Sequence, residues 1–290
     1  MKRTATRSLP DLFRVETSGG VTWLRFQQRE LAGIDIRRMQ PLWSFLDQQV
    51  EHPSNVVILE VHAGLLSSGS IDALLDGRAK LESRGCEESS QRDQELWQAF
   101  EDLRREENSQ IQVIERITTL DSLVIAVVQG EIDMALLGPV LSCDYRIASD
   151  DTLIVNRILD GGLPSIGGTM WFLVKRLGDG VAHRLLWSGK NLSSSEALEM
   201  GLLSEVVPTS DIESRTREVA QRFATKPRNR LRAVKNLLNA TSQDLQSYLE
   251  HERNATNRTL GSIVGTRWIK ADHLSTKGGF DEDPENRLPH

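Results

Sequence analysis

Cysteine is almost missing from this chain: Cys86 and Cys143 are the only two in 290 residues. Two thiols so far apart build neither a disulfide framework nor a cysteine-rich zinc site, which fits a reducing compartment and makes the cytoplasm the expected location. A surplus of positive charge is missing too. With 35 basic and 41 acidic residues the formal net charge is −6, so nothing draws the whole molecule to nucleic acid or to an anionic membrane. No apolar run approaches the roughly 18–20 residues of a membrane-spanning helix. The basic opening "MKRTATRSLPDLFRVE" is not followed by the apolar stretch of a secretory signal. A soluble chain with neither nucleic-acid nor membrane partners is therefore expected. The sequence also lacks a Walker loop, a G-x-G-x-x-G fingerprint and an H-E-x-x-H pair, which removes nucleotide hydrolysis, dinucleotide redox chemistry and zinc peptidase activity. No cofactor, no metal and no internal repeat is expected.

What is present reads as alternating strands and helices. The chain is long enough for one large domain, or for a domain with an appended helical piece. "GVTWLRFQ" (20–27) alternates as a strand does, while 35–52 places Ile36, Met39, Leu42, Trp43 and Leu46 on one helical face. "NVVILEVHAG" (55–64) and "DSLVIAVVQG" (121–130) are continuous apolar runs of the kind covered on both faces. Between them, 85–95 looks like an exposed loop feeding a helix through Leu96, Trp97, Phe100 and Leu103. "CDYRIAS" (143–149) is a further strand. Beyond Pro164 helical spacing takes over in 167–178, 179–189, 193–202 and 211–225, with a capping-box pattern from Ser193 to Glu196. After Pro227 come "NRLRAVKNLLNA" and a polar helix from about Ser242 to Thr259; the last stretch, 271–290, reads as a mobile tail. The fold class on these grounds is α/β with a helical end.

The order of four segments resembles the crotonase superfamily, the enoyl-CoA hydratases and isomerases. "DSLVIAVVQG" resembles its strand ending in Asn-Gly, "CDYRIASDD" its Cys-Asp-x-Arg-Ile-Ala stretch, and "GLPSIGGTMWFLVKRLG" its Pro-Gly-x-Gly-Gly-Thr loop and helix. "LLWSGKNLSSSEALEMGLLSEVVP" resembles its Leu-Thr-Gly to Val-Val-Pro series. The resemblance covers about 15–260. It implies a ββα spiral core over 15–208, a C-terminal helical, oligomerising region over 209–270, and an N-terminal extension over 1–14. It further implies a homotrimer or a dimer of trimers. The ligand it implies is an acyl thioester on coenzyme A or a carrier protein, its carbonyl held by two backbone N–H groups in an oxyanion hole, where losing one donor typically costs about 3–4 kcal/mol.

Within that resemblance the stretch "QGEIDMALLGPVLSCD" is unusual. An ungapped match puts the family's run of three glycines on Met134, Ala135 and Leu136, so three side chains are expected in the approach that absent Cβ atoms leave open. The resemblance carries one hole donor to the Ser70 N–H, in "SSGSID", and the other to the turn at Met134. The hydratase glutamates fall on Gly138 and on Arg157, or on Ile158 if a gap is placed later. Neither position holds an acid, so ordinary hydration by that pair is not expected. Asp133 and Glu131 are candidate substitute acids, or solvated turn residues. Ser165 is a candidate reactive group, or a turn serine. His62 follows a buried strand and is either packing or a pocket-rim base. Trp171 is either core or the wall of an acyl pocket, and the other tryptophans are core or interface anchors. His183 and His251 read as surface residues, and the basic run "KPRNRLRAVK" as either a contact for coenzyme A phosphates or a solvated helix face. Two readings stay open: an enzyme with non-standard acids, and a catalytically inactive partner or scaffold subunit.

Overall fold

The computed structural model describes residues 5–8, 13–26, 36–62, 90–159, 165–240 and 244–264. Ten strands lie among them: β1 (Ala5–Ser8), β2 (Phe13–Ser18), β3 (Val21–Phe26), β4 (Val56–His62), β5 (Leu123–Gln129), β6 (Glu131–Asp133), β7 (Tyr145–Ser149), β8 (Leu153–Val155), β9 (Leu192–Ser193) and β10 (Glu205–Val207). The α-helices are α1 (Ile36–Glu51), α2 (Ser90–Thr119), α3 (Gly138–Ser142), α4 (Thr169–Leu177), α5 (Asp179–Ser188), α6 (Ser194–Glu199), α7 (Ile212–Ala224), α8 (Arg228–Ala240) and α9 (Leu245–Val264). Seven strands form one sheet in the order β1-β2-β3-β4-β5-β7-β10, and β6-β8-β9 form a second. The chain is thus α/β with a helical C-terminal region.

The two apolar runs become the middle of the large sheet for a simple reason. Parallel strands β4 and β5 pair from Val56–Leu123 to His62–Gln129, and both faces are covered. Val57, Leu59, Val124, Ala126 and Val128 point into one apolar cluster with Phe13, Leu24 and the helices α1 and α2. Their neighbours Val56, Ile58, Ile125 and Val127 point the other way, against Ile212, Val219 and Ala220 of α7. The period of two puts alternate residues on opposite faces, and a strand buried on both reads as an unbroken hydrophobic run.

The N-terminal segment supplies β1, which pairs antiparallel with β2 from Ala5–Thr17 to Ser8–Arg14. Two local expectations need correction. Helix α2 begins at Ser90, inside the stretch expected to be an exposed loop. The capping box at the start of α6 forms as expected, with the Glu196 N–H bonding to the Ser193 side chain and the Ser193 N–H to the Glu196 carboxylate. The basic run ending in α8 does internal work. Lys235 is buried, and its Nζ donates to the Ile117 carbonyl at 2.9 Å, the Ser122 carbonyl at 3.0 Å and Asp144 Oδ2 at 2.9 Å. Arg232 pairs with Asp121 at 3.3 Å. Among the tryptophans, Trp23 is core, while Trp187 on α5 is 72 % exposed. Among the described residues no helix is long and apolar enough to cross a membrane. The 271–290 tail lies outside the described residues.

Candidate active site

The turn after β5 starts at Gly130, whose φ of 74° is open to glycine and costly for other residues. Three residues of β6 follow, then a single 3-10 turn, Met134–Leu136, and then α3. Met134, Ala135 and Leu136 all pack in the main hydrophobic cluster, the first and last fully buried. All three side chains are thus part of the apolar core. Asp133 caps the 3-10 turn: its Oδ1 accepts the Ala135 N–H at 2.9 Å, and the residue is buried. A backbone donor in the turn is therefore already held by a carboxylate. Glu131, in contrast, is exposed and pairs with Arg157 at 3.2 Å.

Against this turn lies the glycine loop leading into α4. Thr169 joins the two. Its Oγ1 accepts the Gly138 N–H at 2.8 Å and lies 3.3 Å from the carbonyls of both Ala135 and Ile166, as a donor. The Ile166 N–H donates to the Ala135 carbonyl as well. The loop comes so close that a Cβ on Gly138 would stand 2.8 Å from the Gly167 carbonyl carbon and nearer still to its oxygen. This contact explains the missing acid. The position to which the resemblance assigns the first glutamate cannot carry any side chain while the glycine loop sits where it does.

Behind the loop is a buried carboxyl pair that sequence reasoning did not single out. Gly167 and Gly168 both have left-handed φ, 68° and 71°, which aims the Gly168 N–H at Glu252 Oε2, 2.7 Å away on α9. Tyr248, one turn earlier, donates to Glu252 Oε1 at 3.2 Å. Burial pushes the Glu252 carboxyl from its ordinary 4.5 up to about 7, with the nearby Glu107 adding to the rise; the Gly168 N–H, Tyr248 and Ser165 pull the other way. Burial likewise raises Glu107 on α2, against Arg253 and Arg104. The Tyr248 phenol is raised by burial and by the carboxylate beside it. Ser165 is wholly buried and close enough to steady a Glu252 charge, although its Oγ makes no hydrogen bond of good geometry.

This shift has a measurable consequence for stability. The folded chain keeps the Glu252 proton between pH 4.5 and about 7, where the unfolded chain has lost it. The stabilisation is complete below pH 4.5 and is lost as pH rises through 7, a swing of up to about 3 kcal/mol. Glu252→Gln should remove that slope. Urea unfolding of both proteins at pH 5 and pH 8 should show the variant gaining on the parent at the higher pH; parallel profiles would contradict the shift.

Other candidates fall as follows. Trp171 lines a cavity of about 600 Å³ with Lys175, Ser142, Asp144 and Gln246. Phe172 and Leu245 line that cavity and also pack at Gly168, so it ends one side-chain layer from the glycine loop. His62 ends β4 opposite Gln129, and its side chain lies outside the described residues, as does all of Ser70. His183 and His251 are exposed. Cys143 is buried and its thiol is pushed up to about 12 by burial, which makes it a packing residue. Among the described residues no group of three acidic, histidine or cysteine side chains is placed to hold a metal.

Residues 19–263 match the sequence profile of the enoyl-CoA hydratase/isomerase family. The chain belongs to this family. It is similar to a short-chain-enoyl-CoA hydratase of Clostridium acetobutylicum, 31 % identical over 148 residues that cover 49 % of this chain and 55 % of that protein. It is also similar to a 4-chlorobenzoyl coenzyme A dehalogenase of Arthrobacter, 26 % identical over 141 residues, covering 48 % and 51 %. The chain thus spans about half the length of the curated relatives it matches. In fold it is similar to an enoyl-CoA hydratase from Bacillus halodurans, with a TM-score of 0.70, 19 % identity and coverage of 92 % of this chain and 99 % of that one.

The sequence did carry a sign of the two buried carboxyls. Glu107 shares a helical stripe with Ile111 and Ile114, and Glu252 one with Leu245, Leu249 and Thr256. A carboxyl at a core position of an amphipathic helix is worth asking about.

Proposed function

We propose that the chain binds an acyl thioester, of coenzyme A or of a carrier protein, where the turn meets the glycine loop, and that it acts on this ligand without acids at Gly138 or Arg157. Family membership supports the ligand class. The observation that carries the catalytic part is the buried Glu252, held by the Gly168 N–H, because a proton-transferring carboxyl works best when its pKa approaches the working pH. Burial is the standard way to bring it there.

A second reading, a non-catalytic binder or partner subunit, draws on one specific contact: Asp133 Oδ1 already occupies the Ala135 N–H. Assembly as a homotrimer or dimer of trimers agrees with the apolar residues left exposed on α8, Val234, Leu237 and Leu238. Calorimetric titration with a panel of acyl-CoAs, beside a turnover assay on crotonyl-CoA and malonyl-type thioesters, separates the readings. Binding with turnover is expected. Binding without turnover would leave the partner reading, and no binding to any thioester would overturn both.

A further inference from the structure

The cavity of about 600 Å³ beside Trp171 belongs to no site described so far. Its size is that of a pocket for a small organic molecule, for which about 300–1,000 Å³ is usual. The end of α2, the residues at and after the end of α3, one face of α4, the end of α8 and the start of α9 form its walls. Phe172 and Leu245 stand between it and Gly168, so an occupant would not sit on the glycine loop.

What these walls have left to offer is positive charge. Thr118, Thr119 and Ser142 give their hydroxyls to carbonyls of their own helices. The Asn239 amide donates to the Thr118 carbonyl, and Asp144 Oδ2 already accepts from Lys235 and from the Val124 N–H. Lys175 is different. Its ammonium lies 4.9 Å from the centre of the Trp171 ring and has no carboxylate partner among the described residues; burial and the Arg176 charge beside it hold it below the ordinary lysine value. Arg176 gives one nitrogen to the Leu141 carbonyl, and a guanidinium has five N–H donors in all. Two cations against one carboxylate that is already bonded leave the walls positive, and an anion is the ligand that answers this with charge-assisted hydrogen bonds. The apolar surface of Trp171, Phe172 and Leu245 lies beside the cations and suits a ligand with a hydrocarbon body.

We infer that this cavity is a second binding site, apart from the glycine loop, for a small organic anion: its carboxylate or phosphate head meets Lys175 and Arg176, and its apolar body lies along Trp171 and Phe172. The site stands independently of the thioester reading, because none of the residues that hold the anion takes part in the turn or the loop. The occupant supplies the counter-charge that Lys175 lacks and covers apolar wall that is otherwise wet. A carboxylate and a phosphate are recognised by the same two cations, so the choice of head is left to the binding measurement.

Calorimetric titration of the full chain with 2-naphthoate, 2-naphthyl phosphate and the neutral 2-naphthamide tests the site. At least one of the two anions should bind with a Kd of about 1 mM or tighter, and the tighter of the two identifies the head. The amide should bind about 10-fold more weakly or not at all. Lys175→Gln and Arg176→Gln, both at exposed positions where folding is not at stake, should each weaken the anion about 10-fold. Thr119→Trp, which narrows the cavity from the end of α2, should abolish binding, whereas an excess of butyryl-CoA should leave it unchanged. Binding of neither anion, equal binding of the amide, parental affinity in both charge variants or in Thr119→Trp, or displacement by butyryl-CoA would each overturn the assignment. None of these results bears on whether a thioester binds at the glycine loop, except displacement, which would place both ligands in one site.

Discussion

Gly138→Ala should cost this protein about 3 kcal/mol or more of stability. The added methyl has nowhere to go. It would lie 2.8 Å from the Gly167 carbonyl carbon, closer to the oxygen, and 3.4 Å from the Thr169 nitrogen, all of them backbone atoms that cannot rotate aside. Relief requires the glycine loop to move off the turn, and three connections resist that. They are the Gly138 N–H to Thr169 Oγ1, the Thr169 hydroxyl to the Ala135 carbonyl, and the Ile166 N–H to the same carbonyl. Moving the loop also pulls the Gly168 N–H away from Glu252, so the damage reaches the site as well as the core. Urea unfolding compared with the parent measures the loss. A variant within about 1 kcal/mol of the parent would mean that the turn and loop do not press together as described.

Lys235→Met is the second large effect, at about 3 kcal/mol. The lysine side chain is 6 % exposed and spends its donors on two carbonyls and on Asp144. Those partners tie the end of α2, the start of β5 and the residue before β7 to α8. The methionine fills the volume but leaves Asp144 Oδ2 with only the Val124 N–H. The loss should therefore be partly recovered in the double variant with Asp144→Asn, which removes the stranded charge. Purely additive losses would argue that the two residues do not act as a pair.

The strands and the helical end were legible because each depends on a local period. The runs 55–64 and 121–130 could only be strands covered on both faces, and the two clusters either side of the sheet bear this out. The family, too, was legible from four ordered segments. The site was legible in its outline and not in its chemistry. The sequence pointed to the turn and to the lack of acids at Gly138 and Arg157, but Asp133 and Glu131 looked alike. One is buried as a cap and the other is exposed in an ion pair, a difference set by tertiary packing that neighbouring residues do not encode. Glu107 and Glu252 lie 145 positions apart and come into one neighbourhood only because α9 folds back on α2. Each carboxyl sits on the apolar stripe of its own helix, but neither stripe tells which other helix it will face. The basic run leading into and along α8 was misleading for the same reason: Lys235 faces inward to Asp144 and the others face out.

The central claim is the placement of an acyl thioester at the glycine loop. A crystal structure of the protein with butyryl-CoA tests it most directly. The account predicts the acyl thioester where the turn at Met134–Leu136 meets the glycine loop, with its acyl group on the side of Glu252. A thioester seated instead in the cavity beside Trp171 and Lys175, with the glycine loop untouched, would contradict it.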